Sequence, residues 1–120
     1  MIAGHFAALG VDDDRAAEIY ADDAVLEFPQ SGERIRGKAN IVASRKAYPG
    51  RPMRFELHRS FGAGDIWTSE WTLDFAGEEP HAAVKIHEFR DGRVVRERIY
   101  IAEPWEPPAY RARGVEPITD

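Results

Sequence analysis

Apolar side chains recur at helical spacing near the start of the chain and at alternate positions over its second half. Ile2, Phe6 and Leu9 fall at i, i+4 and i+7, which predicts a short helix buried on one side and ended near Gly10. In DDDRAAEIY, Asp12 suits an N-cap, Asp13 and Asp14 suit the positive end of a helix dipole, and Ala16, Ile19 and Tyr20 make the apolar stripe of a second helix. AVLEF reads as a short strand stopped by Pro29, and SGERIRG as a turn with a scrap of strand. KANIVASRKAY then predicts a third helix closed by Pro49-Gly50.

After this the period changes to two. Residues 53–61, 66–75, 81–90 and 93–102 alternate or are β-rich, separated by GAGD, AGEEP and DG, which predicts four long strands in an antiparallel meander. Helices early and strands late argue an α+β fold with the helices on one face of a curved sheet. The tail EPWEPPAYRARGVEP is Pro-rich and has no period, so residues 103–120 are expected to form an extended arm anchored by Trp105. The chain has the length of one ordinary domain, residues 1–120, with enough apolar and aromatic residues for one core.

The hairpin at Asp91-Gly92 decides which residues share a face. A two-residue loop sets Arg90 against Arg93, His87 against Arg96 and Lys85 against Arg98, basic on basic. A three-residue loop, Arg90-Asp91-Gly92, sets His87 against Val95 and Lys85 against Glu97. Cross-strand pairs differ by roughly 0.2–1 kcal/mol each, so the three-residue loop is expected. One face then carries Ala83, Lys85, His87 and Phe89 beside Val95, Glu97, Ile99 and Ile101: an apolar frame around three ionisable groups, as in a pocket wall. The other face carries Val84, Ile86, Val94 and Tyr100 among arginines, which suits a subunit interface. On the preceding strand Trp67, Ser69, Trp71, Leu73 and Phe75 share a face that should point inward. Paired tryptophans of this kind are more often core than ligand platform.

Sixteen basic against twenty-one acidic residues leave a net charge of −5, the wrong sign for gripping nucleic acid. The absence of cysteine excludes disulfides, thiolate nucleophiles and sulfur-ligated metals. No apolar run approaches the roughly 20 residues of a membrane span, so a cytoplasmic protein without membrane partners is expected. Four histidines without ligand spacing predict no metal site. The chain has no P-loop, dinucleotide glycine pattern or G-x-S-x-G elbow, so no cofactor is expected. His58 and His81 are expected to be solvated.

The stretches IYADDAVLEFPQSGERIRGKANI and FRDGRVVRERIYIAEPWEPP resemble the nuclear transport factor 2-like superfamily in its SnoaL-like branch, which includes polyketide cyclases and has ketosteroid isomerases and limonene-epoxide hydrolases as relatives. The resemblance covers nearly the whole chain. It implies a cone, a strongly bent sheet wrapped around about three helices, with a mostly apolar pocket and a homodimer, here through the outer sheet face. It also implies that His5 stands where the isomerases place a hydrogen-bond-donating tyrosine. Phe28 stands where they place their catalytic aspartate, and Ile99 where the epoxide hydrolases place theirs. The match to the second acid of the isomerase oxyanion hole falls on Lys85 or His87. The first helix is shorter than is usual in the family, as expected if the chain begins late or its start has been misassigned.

Two functions fit. In one, an acid–base catalyst without cofactor isomerises, cyclises or dehydrates a small hydrophobic carbonyl compound. His87 is its base or acid, tuned by Glu97 and Lys85; His5 donates to the substrate oxygen; Trp67, Trp71, Phe28, Ser69 and Ile99 line the pocket. In the other, the same pocket holds a ligand, or nothing, in a non-catalytic accessory dimer. In that case Lys85 and Glu97 are a structural ion pair and His87 a wall residue.

Overall fold

The computed structural model describes residues 13–48, 53–75 and 77–119. The expected first helix, His5, the Asp12 cap and the Pro49-Gly50 stop lie outside the described residues.

Among the described residues, two short helices and a six-stranded sheet make up the fold. Helix α1 (Asp13–Ala16) tightens into a 3-10 turn over Ala17–Ile19. The chain then runs at once into β1 (Tyr20–Phe28), so Tyr20 begins a strand and does not close a helical stripe. It remains buried there, because it faces the same core as Ile19 and Leu26. Strand β2 (Glu33–Arg36) folds back on β1. Gly37, at φ 90°, turns the chain into α2 (Lys38–Lys46), a backbone angle that a side chain disfavours. Helix α2 presses Ile41 into the core. Strands β3 (Met53–Ala63), β4 (Ile66–Phe75), β5 (His81–Arg90) and β6 (Arg93–Ala102) form the expected meander.

Strand β6 also runs parallel to β1, with Leu26 beside Glu97 and Glu27 beside Arg98. Register shifts interrupt three ladders, near Tyr20–Val25, Leu57–Arg59 and Glu88–Phe89. Each irregularity bends its strand, and together they curve the sheet toward the helices.

The hairpin differs from the expected one. Its loop is Asp91-Gly92 alone, with φ of 52° and 76°, the left-handed pair that a type I′ turn requires. Arg90 does oppose Arg93, but at the solvent-exposed end of the ladder, where water screens the repulsion. The other basic pairs never form. Val95 is an extra residue between Phe89↔Val94 and Glu88↔Arg96, and beyond it His87 opposes Glu97, Ile86 opposes Arg98 and Lys85 opposes Ile99. The bulge therefore exchanges the expected roles of the two valines: Val94 is fully buried and Val95 only partly. Lys85, His87, Glu97, Ile99 and Ile101 still share the inward face.

Three further expectations fail. Trp67, near the open end of β4, is 39% exposed; its indole N–H donates to the Gly64 carbonyl at 3.0 Å. Trp105 is 77% exposed and so is not buried in the core as an anchor; the arm is extended apart from a 3-10 turn over Ala109–Gly114. His81 is half-buried, edge-on to Phe75 at 5.0 Å. His58 is exposed as expected, bonded to the Thr72 hydroxyl at 2.6 Å.

Candidate functional site

Strand pairing builds the site from three rows of inward side chains across β4, β5 and β6. They are Trp67–His87–Glu97, Ser69–Lys85–Ile99 and Trp71–Ala83–Ile101. Of these, Ser69, Trp71, Ala83, Lys85, His87, Glu97 and Ile99 are buried. Phe28, half-buried at the end of β1, packs against the core beside Leu26 and Ile99.

Two residues that the sequence pattern did not single out complete the centre. Tyr20 donates its hydroxyl proton to Glu97 Oε1. Arg45 Nη2 donates to the Tyr20 oxygen at 2.7 Å and lies 3.7 Å from Glu97 Oε1. His87 Nε2 reaches the same oxygen at 3.3 Å. One carboxylate oxygen thus faces a phenol, a guanidinium and an imidazole, while Oε2 has no hydrogen-bond donor among the described residues. Arg45 follows Ile41 by four residues and so extends the buried stripe of α2; a charged residue at the end of an apolar stripe was the readable signal.

Burial alone would push the Glu97 carboxyl up, but the facing His87, then Arg45 and Lys85, outweigh it and hold the group well below the usual carboxylate range. Glu97 is therefore ionised at any physiological pH. Burial pushes the Tyr20 hydroxyl up, only partly opposed by Arg45, so it stays a proton donor. Burial also pushes Lys85 down to about 8, against the pull of Glu97 and with help from Arg45. No group of three or more metal-ligating side chains occurs among the described residues.

The Lys85 shift has a measurable consequence. From about pH 8 up to its ordinary 10.5, the unfolded chain carries the Lys85 proton and the folded chain does not. Stability should therefore rise with pH across that window, by up to about 3 kcal/mol. Above pH 10 the Tyr20 hydroxyl, kept protonated only in the fold, acts in the opposite direction. Urea midpoints of wild type and Lys85→Met between pH 7 and 10 test this. The wild type should gain on the variant as the pH rises, and parallel curves would contradict it.

A family model for the SnoaL-like domain matches residues 2–97. The chain belongs to the SnoaL-like family. Solved structures agree. An NTF-2 like protein of unknown function from Burkholderia xenovorans LB400 is 40% identical, with 98% of this chain and 92% of that one covered and a TM-score of 0.86. A candidate ketosteroid isomerase from Kribbella flavida DSM 17836 is 28% identical, with 99% and 87% covered and a TM-score of 0.87. An LEH-like epoxide hydrolase of M. tuberculosis is 25% identical over 83% and 78%, with a TM-score of 0.70. No curated protein matches. The SnoaL-like fold explains the bent sheet. Its relatives include proteins described as isomerase and epoxide hydrolase, so the reaction has to be argued from the buried cluster. Among the described residues no helix is long and apolar enough to cross a membrane.

Proposed function

We propose that the protein is a cofactor-independent acid–base catalyst acting on a small hydrophobic carbonyl compound. The observation that carries this reading is the buried contact of His87 with an ionised carboxylate, Glu97, on a face framed by Trp71, Ile99 and Ala83. An imidazole in that setting can take a proton from carbon and return it, while Glu97 steadies the imidazolium formed. Tyr20 and Arg45 hold the carboxylate on its other sides and orient it. Ser69, Ile99 and the two tryptophans contact the carbon skeleton. Isomerisation, cyclisation and dehydration all start from such a step.

A thermal-shift screen of small ketones and aldehydes, followed by turnover assays on each compound that stabilises the protein, tests the proposal. Turnover that falls in His87→Ala supports it. Stabilisation with no turnover of any stabilising compound would assign the pocket to a non-catalytic binding protein.

The same reading takes the protein as a homodimer through the outer sheet face. Its support is the outward pair Val84 and Tyr100, which border a cleft of about 810 Å³ whose lining also takes in Trp71, Ala83 and Ile101. Tyr100 is 38% exposed, and a contiguous patch of this kind favours a partner. Sedimentation equilibrium at micromolar concentration should give twice the chain mass, and a monomer would contradict the assignment.

A further inference from the structure

Lys85 is the buried charge to which the acid–base reading gives only a tuning role. Its residue exposure is 3%, yet its ammonium has no hydrogen bond or ion pair among the described residues. Its near neighbours are rings: Nζ lies 4.8 Å from the centre of the Trp71 ring and 5.5 Å from that of Phe55. Directly across the ladder stands Ser69, whose oxygen accepts the Trp71 indole proton at 2.7 Å and so fixes that ring beside the amine. Glu97 is engaged by Tyr20, Arg45 and His87 and makes no direct ion pair with Lys85.

An ammonium in a residue this buried keeps only part of the hydration it has in water, and ring faces replace only part of that loss. Such a site moves the balance toward the neutral amine, and a neutral amine is a nucleophile. Ring quadrupoles also favour a cation beside them, so the same pair of rings suits a positively charged imine once it forms. His87, two residues along the strand on the same face, and Lys85 are thus arranged as a proton-transfer group beside an amine.

We propose that Lys85 forms a covalent imine with the carbonyl carbon of an aldehyde or ketone substrate. The inference rests on the acid–base reading and deepens it. The nitrogen lone pair forms the C–N bond, the carbonyl π pair moves to oxygen, and one proton passes from nitrogen to that oxygen. A second proton, donated by the acid–base group, lets the oxygen leave as water, and a protonated imine remains. Its positive nitrogen draws electrons from the neighbouring C–H bond, which His87 then deprotonates. His87 returns the proton to carbon, which restores the protonated imine, and water then adds by the reverse path and releases the product and the free amine.

The chain has only three lysines, and the other two, Lys38 and Lys46, lie on α2 and are more exposed. Reductive trapping therefore reads the proposal directly. The protein is incubated with 3-phenylpropanal and sodium cyanoborohydride and then mapped by peptide mass spectrometry. The expected result is one adduct per chain, at Lys85, formed at least tenfold faster than at Lys38, Lys46 or the amino terminus. Labelling that follows exposure, or no labelling of Lys85, overturns the imine. This comparison is internal to the wild type and needs no variant to fold. Deuterium exchange at the α-carbon of the same aldehyde separates the two readings. Exchange that persists in Lys85→Arg, which keeps the charge and loses the nucleophile, retires the imine and leaves the His87 chemistry standing. Exchange absent from wild type as well removes both.

Discussion

Replacing Glu97 by leucine lowers the stability of the fold by about 3–5 kcal/mol, the cost of removing one partner from a buried ionic contact. The loss is large because one oxygen of Glu97 serves Tyr20, Arg45 and His87 together. Without the carboxylate, the Arg45 guanidinium and the Lys85 ammonium lose the negative charge nearest them in a low-dielectric interior, and the Tyr20 hydroxyl loses the Glu97 acceptor. Adding Arg45→Met should recover part of the loss, since a buried pair replaced by apolar groups is often neutral. The acid limb of the stability curve follows the same group. Glu97 is held below its ordinary value of 4.5 in the fold, so its contribution is complete above that pH and disappears as the pH falls through the lower folded value. Urea denaturation at fixed protein concentration from pH 2 to 7 checks both. A Glu97→Leu midpoint equal to that of wild type at pH 7 would show that the cluster does not hold the sheet to α2.

Removing the imidazole has the larger effect on chemistry. His87→Ala should leave a folded protein that still binds carbonyl ligands, with turnover reduced by about 10²–10⁴, the usual contribution of a positioned acid–base group. The fold should survive because His87 contributes one of several contacts to Glu97, and Tyr20 and Arg45 remain. His87→Gln, which keeps a polar side chain without a transferable proton, should be as inactive as the alanine variant. Ligand-induced thermal shifts separate the roles: a shift retained with turnover lost is the expected pattern, and turnover retained would remove His87 from the reaction.

The fold was readable because its signals are local. The change from helical to alternating period, the Asp91-Gly92 turn and the inward parity of Lys85, His87 and Glu97 all come from neighbours within one or two elements. The register was harder. Charge repulsion argued for a three-residue loop, but the chain keeps the two-residue turn, tolerates Arg90 opposite Arg93 at the exposed end, and avoids His87 opposite Arg96 and Lys85 opposite Arg98 with a bulge at Val95. A bulge leaves no mark in a strand pattern except that one valine must turn away from the core. Tyr20 and Arg45 were missed for a different reason. Each meets Glu97 across a long stretch of chain, 77 residues in the case of Tyr20; the place of Arg45 on the apolar stripe of α2 marks it as inward, but nothing within α2 or β1 names the partner it meets when the sheet bends. Trp67 shows the converse, since parity gives the face but not where along a strand the cover ends.

The account stands most directly on proton transfer by His87 beside Glu97. The measurement is the rate at which deuterium from D₂O enters the α-position of 3-phenylpropanal, followed by proton NMR with wild type and with His87→Ala. Catalysed exchange by the wild type that falls by about 10²–10⁴ in the variant is the predicted result. Equal exchange by both proteins would contradict it.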